Sequence, residues 1–329
     1  MIHRFKSPLL LSIFGLLASV GLWAGCSTAR VDAVERTSSS QSPSKRILVV
    51  STTTGFRHSS IETGEKVLAT LAQQNGFILD YARGGKLPGG PKKPNAPKAE
   101  GDEEKQKADK EKYDTELKKF DTDTARHKEL EKAESEKVRA VLAEKMSAAA
   151  LQKYDAVIFL NTTGDLPLPD KEAFLGWIRA GKAFIGAHSA TDTFRGHQPL
   201  DPYVDMIGAE FKTHGAQADV ECMNQDPSHP ACKHLGPTWA LKDEIYIMNG
   251  FQRGNVHGLL TLDKEPNSKA AGDYPIAWCK KYGKGNVFYT SLGHREDVWE
   301  SEKYQKHLLG GIRWALGLEK GDATPQATR

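Results

Sequence analysis

Unbroken apolar runs alternate along this chain with segments whose apolar positions recur every three or four residues. "KRILVVST", residues 45–52, reads as a buried strand. "SSIETGEKVLATLAQQNG" follows, with Ile61, Leu68, Leu71 and Ala72 on one side and Gly76 as the stop of an amphipathic helix. "FILDYA" is a second strand and "YDAVIFLN" a third, uncharged through its centre as a strand covered on both faces requires. "DKEAFLGWIRAG" is the next helix and "KAFIGA" the fourth strand. This β-α order predicts an α/β fold with a doubly wound, mostly parallel sheet. Later segments, "ADVECM", "DEIYIM", "GLLTLD" and "PIAWCKKYGKGNVFYTSLG", predict additional C-terminal strands with a hairpin at "YGKGN". "SEKYQKHLLGGIRWALG" predicts a closing helix, with Trp177, Trp278 and Trp314 in the core.

The pattern fails over residues 88–147. Residues 91–150 hold 15 Lys/Arg and 15 Asp/Glu, half of the segment at zero net charge. The Pro-rich start, "PGGPKKPNAPKAEGDEEKQK", predicts disorder. From about Lys110 helix formers dominate, and Tyr113, Leu117 and Phe120 share a face. The expectation is a charged helical insertion interrupting a domain of residues 46–318, mostly facing water; a docking arm is the alternative. Residues 319–329 are expected to be a disordered tail.

The N-terminus changes the picture of where the domain resides. His3, Arg4 and Lys6 precede the apolar "PLLLSIFGLLASVGLW", and "AGC" follows. Residues 1–25 read as a lipoprotein signal peptide, Cys26 as the lipidated residue, and residues 26–45 as a Ser-rich tether. Trp23 departs from the usual Leu, and an uncleaved membrane anchor is the other reading. Ser27 stands where a retention aspartate would, which points to the outer membrane of a Gram-negative envelope, facing the periplasm. Hydrophobic residues make up 39% of the 329, consistent with segments outside the core. The formal charge of +3 gives no footing for nucleic acid. An oxidising compartment permits a disulfide, and Cys222 and Cys232 flank a short Pro-containing loop that could close one, leaving Cys279 free.

Ligands in open parallel sheets bind beyond the carboxyl ends of the strands. There the sequence places "TTTGFRHSS", "NTTGDLP", "HSATD" and "LGHRED". His58, Asn161, Asp165, His188, Asp192, His294 and Glu296 would all look into one crevice. His188, ending the run Ala183–Ala187, could move protons near neutral pH. It could also bind a divalent metal such as zinc: Asp192 is four residues on, and His214, His58 or His294 could complete three ligands with one position open. Asn161 and Asp165 suit sugar hydroxyls or a turn. Asp243 and Glu244 are a carboxylate pair or the start of a strand. His229 before Pro230 suits a turn, and Tyr246 and Trp299 suit stacking on a sugar ring.

"TTGFRHSSI", "YDAVIFLNTTGD", "GAHSATDT", "IGAEFKTH", "SHPAC", "DEIYIM", "PIAWC" and "VFYTSLGH", in this order, resemble the ThuA-like (trehalose-utilization) family. The resemblance implies a flavodoxin-like fold related to class I glutamine amidotransferases, and an association with disaccharides such as trehalose and their keto derivatives. It sets His188 at the amidotransferase nucleophile position, and His294 and Glu296 at the base and its supporting carboxylate. A histidine in place of the cysteine excludes a covalent glutaminase mechanism. His188, His294, Glu296 and Asp192 are therefore the catalytic candidates; His58, Asn161, Asp165, Glu244 and Tyr246 are the candidates for binding a small-molecule carbohydrate. A non-catalytic sugar-binding lipoprotein is the alternative, marked by crevice aromatics without a convergent His/Asp cluster.

Overall fold

The computed structural model describes residues 44–98 and 100–326. The leader, Cys26 and most of the tether lie outside the described residues. In chain order the elements are β1 (Arg46–Thr52), α1 (Ile61–Asn75), β2 (Ile78–Gly84), α2 (Glu103–Met146), α3 (Ala148–Leu151), β3 (Ala156–Leu160), α4 (Lys171–Arg179) and β4 (Ala183–Ala187). A short 3₁₀ turn, His188–Asp192, precedes α5 (Pro202–Ile207), β5 (Glu210–His214), β6 (Ala218–Asn224), β7 (Thr238–Asp243) and β8 (Tyr246–Asn249). The chain then runs through β9 (His257–Lys264), β10 (Ala271–Tyr282), β11 (Gly285–Thr290), α6 (Glu296–Glu300) and α7 (Glu302–Ala315).

Among the described residues, nine strands form one sheet in the order β2-β1-β3-β4-β11-β10-β9-β6-β7. The first five run parallel, and β10, β9, β6 and β7 extend the sheet with antiparallel pairings. β5 and β8 form a separate antiparallel pair. Alternate residues of each parallel strand supply opposite faces, as the two-residue repeat demands. Ile47, Val49, Ile158 and Ile185 join one core with Phe288 and Trp314, whereas Leu48, Val50, Phe159 and Phe184 join the other with Tyr203 and Trp278. The β10–β11 hairpin closes at Gly283–Lys284 as the sequence predicts, with Gly283 at φ +61°. Chain order reverses between β2 and β3 around β1, which opens a crevice at the strands' carboxyl ends.

Three expectations need correction. The charged segment is not a self-contained insertion. α2, 44 residues and about 66 Å long, is the crossover helix between β2 and β3, extended at its N-terminal end. Asp102 caps it by accepting from the Lys105 amide at 2.9 Å. Its last turns bury Val138, Leu142 and Met146 in the core, and a Cβ on Gly84 would fall 2.7 Å from Val138 Cγ2.

The tail is not free through residue 326. Trp314 Nε1 donates to Gly321 O at 3.1 Å, and the Gln326 amide to Val256 O at 3.0 Å. Cys222 and Cys232 are free, buried thiols. Asn224 closes their loop instead, donating to Cys232 O at 3.3 Å and Gly236 O at 3.1 Å. Burial pushes the Cys232 thiol up to about 12, which keeps it protonated and unreactive. Cys279 is likewise free.

Candidate active site

Three loops at the carboxyl ends of β1, β4 and β11 meet, and hydrogen bonds between them set the histidines they carry. Asn161, after β3, donates from Nδ2 to Ser60 Oγ at 3.1 Å and to Gly293 O at 3.0 Å. Ser60 donates to the same Gly293 carbonyl at 3.0 Å. Asp243 accepts from the Gly293 amide at 2.7 Å and from Arg295 N at 3.2 Å. Gly293 sits at φ +114°, where a Cβ would lie 2.8 Å from the Tyr304 hydroxyl. His58, His188 and His294 thereby form a triangle, with ring centroids 4.7, 5.2 and 5.3 Å apart.

His188 leaves β4 in the left-handed region at φ +45°, a strained conformation for a residue with a Cβ. Its side chain is fully buried. Nδ1 lies 2.8 Å from Ser291 O, which can only accept, so the proton resides on Nδ1 and the Nε2 lone pair faces inward. Nε2 lies 3.2 Å from His58 Nε2 and 3.7 Å from Glu244 Oε2. His58 Nδ1 lies 3.3 Å from Ser189 Oγ. Glu244 Oε2 is 3.1 Å from His294 Nδ1, and Oε1 is 3.1 Å from His214 Nδ1. Donor atoms of His58, His188, Glu244 and His294 all lie within 4.8 Å of one another, a set able to hold a metal ion.

Burial, reinforced by neighbouring imidazoles, drives His188 well below the ordinary value of 6.5 and His58 down to about 4, so both are neutral at physiological pH. Burial works to raise Glu244, but its contact with His294 and the nearby His214 and His58 outweigh it and lower the carboxyl. His294 is raised, chiefly by Glu244. Burial raises Asp192 despite the neighbouring Arg195 guanidinium.

Above the cluster opens a cavity of about 400 Å³. Phe56, Phe211 and Tyr246 give it aromatic walls, and Asp192, Arg195 and His214 polar ones. Tyr246 lies with its ring centroid 4.4 Å from that of His188 and 4.2 Å from that of Phe211. The cavity thus combines flat apolar faces with charged hydrogen-bonding groups, the mixture that receives a polar ring compound.

The crevice therefore gathers His58, Asp192, His214, Glu244, Tyr246 and His294, with His188 buried behind them against His58. It does not gather every candidate. Glu296 accepts from Ser59 Oγ at 2.5 Å, and Glu244, not Glu296, contacts His294. Asp165 pairs with His197 at 2.9 Å, outside the cavity lining. Asn161 is fully buried, ties loops together and does not line this cavity. Asp192 pairs with Arg195 and stands apart from the four-donor set, as does His214; of the expected ligands the set keeps His188 with His58 and His294, and Glu244 takes the place of Asp192. Trp299 is core, donating to Gly293 O at 2.8 Å. His229 shapes a turn, accepting from the Ala231 amide at 3.2 Å. Phe56, Arg195 and Phe211 escaped sequence reasoning. An exposed Phe56 in a polar loop is the one that carried a signal.

The family model described as ThuA, trehalose utilisation, matches residues 106–315. The match includes His188, Glu244 and His294 and begins after His58. No curated protein matches the chain. Among solved structures, a ThuA-like protein from Bacteroides uniformis ATCC 8492 superposes with a TM-score of 0.54 at 18% identity, covering 84% of this chain and 93% of its own. Another from Parabacteroides merdae ATCC 43184 gives 0.56 at 16% identity, covering 87% and 96%. At these identities the two likenesses speak for the fold.

Proposed function

Because the chain belongs to the ThuA, trehalose-utilisation family, we propose that it is a lipid-anchored, extracytoplasmic enzyme that acts on a carbohydrate, a disaccharide or its keto derivative, by proton transfer. The observation that carries this reading is the convergence of His58, Glu244 and His294 on the lining of an aromatic-walled cavity, with the buried His188 packed behind them, its Nε2 3.2 Å from His58 Nε2. Strained, desolvated, polar clusters of this kind are costly to fold and concentrate where chemistry occurs. A sugar carbonyl or hydroxyl seated on the floor would meet these groups with its ring against Tyr246 or Phe211. Asp192, a carboxylate of raised basicity at the cavity wall, would take the proton from carbon or oxygen. Its pairing with Arg195 orients it. His294, held by Glu244, lines the cavity where a sugar oxygen would sit and can hydrogen-bond to it.

The convergence of the four groups favours this reading over a sugar-binding protein without catalysis. Among the described residues no cysteine lines the cavity, which weighs against glutamine hydrolysis. Keto-disaccharides offered to the purified protein should be turned over. Asp192→Asn should slow turnover by roughly 10²–10⁴-fold with binding largely retained; equal activity in that variant would remove Asp192 from the reaction. For the anchor, labelled fatty acid should enter the wild-type protein and not Cys26→Ser, and labelling of both would place the lipid elsewhere.

A further inference from the structure

We propose that His58, His188, Glu244 and His294 form a binding site for one divalent transition-metal ion of the zinc class. Three imidazole nitrogens and one carboxylate oxygen are a donor set that suits zinc and its first-row neighbours, and not magnesium or calcium. Tetrahedral ligands 2.0–2.1 Å from zinc stand about 3.4 Å apart. His188 Nε2 lies 3.2 Å from His58 Nε2 and 3.7 Å from Glu244 Oε2, spacings already close to that figure.

The outer contacts agree. The carbonyl of Ser291 holds the proton of His188 on Nδ1 and leaves Nε2 as a lone pair. A metal-ligating histidine is oriented in the same way by a carbonyl on its far nitrogen. His58 can stand as either tautomer, because Ser189 Oγ can accept from Nδ1 or donate to it. When His58 Nε2 carries the proton it donates to His188. When the Ser189 hydroxyl accepts from Nδ1, both Nε2 atoms, 3.2 Å apart, carry lone pairs. Without a shared proton or a cation the two lone pairs would repel. Glu244 brings a negative charge to three histidines, and its burial leaves little water to neutralise it. The cavity lies against the site, so an ion that expanded from four to five ligands would meet a sugar carbonyl or hydroxyl oxygen there and polarise it. That last role rests on the carbohydrate reading; the binding of the ion does not.

The test uses the full chain in detergent, made without a polyhistidine tag and stripped with a chelator. Zn²⁺ is titrated by calorimetry and Co²⁺ by its visible absorption. We expect one ion per chain, and at least a 100-fold loss of affinity in His188→Ala and in Glu244→Gln. His197→Ala, at a surface histidine, should bind as wild type. Ser189→Ala should weaken binding about 10- to 100-fold, because Ser189 only positions His58. Circular dichroism checks folding, and His58→Asn replaces any variant that fails to fold. No saturable binding of either ion to the wild-type chain, or binding that survives both His188→Ala and Glu244→Gln, would overturn the proposal. An ion bound without turnover of any sugar would sustain it while defeating the carbohydrate reading.

Discussion

His188 carries two burdens that substitution can separate. Its backbone at φ +45° disfavours most side chains, but asparagine tolerates that region. Its imidazole fills a fully buried slot between Ser291 O and His58. His188→Asn should therefore keep most of the fold and slow turnover roughly 10²-fold, as misplacement of the His58 and Glu244 groups it contacts would. A melting temperature and a turnover rate measured on the same sample decide it. Retained activity would make the histidine scaffold. The position was legible because an apolar run ends on a histidine followed by small residues. Glu244's centrality was not: it lies beyond β7, outside the parallel strands, and only the folded chain carries it to His188. Glu296 was misassigned for the converse reason. Two residues past His294, it points along the turn to Ser59.

α2 contains two stretches with opposite energetics. Up to about Glu134 its side chains are mostly exposed; Tyr113, Leu117 and Phe120 are half-buried and none is fully buried. Its end supplies Val138, Leu142 and Met146 to the face it shares with β2 and α4. Replacing residues 88–131 with a short Gly/Ser linker should leave thermal stability nearly unchanged, since loop length costs little. Leu142→Ala should cost about 2–5 kcal/mol in denaturant unfolding, as a buried leucine does. A large loss from the first change and none from the second would mean that the distal helix, not its end, holds the domain. Composition hid this boundary because charge density stays high up to the buried turns, where the apolar positions are one residue in four. The parallel strands were readable because they are buried on both faces. β5 and β7 were not, since "EFKTH" and "TWALKD" lie at edges and alternate with polar residues.

At the scale of the whole molecule, burial sets the response to acid. His229 is driven down to about 4 and His307 to about 3, in each case by burial, opposed by Asp226 for the first and by the Ala231 carbonyl for the second. The unfolded chain therefore binds more protons than the folded one below the ordinary value of 6.5. Their contribution is whole above pH 6.5 and is lost as pH falls through that value toward 4 and 3. Asp243, raised to about 6 by burial despite its backbone hydrogen bonds, acts in the opposite sense between pH 6 and 4. The histidines outnumber it, so stability should fall across this window, and His307→Asn should flatten the slope. Unfolding free energies measured from pH 7 to 4 check both; a flat wild-type profile would show that the imidazoles are not buried neutral.

The claim on which the functional account stands is that the cavity moves a proton on a sugar. Incubation of the full-length protein with keto-disaccharides in deuterium oxide, followed by proton magnetic resonance of the sugar, reads that step whatever the product. The account predicts deuterium at a carbon beside the carbonyl with wild-type protein, and incorporation slowed at least 100-fold with His188→Ala and Asp192→Asn. Incorporation at the wild-type rate in both variants, or none from any keto-disaccharide that demonstrably binds, would contradict it.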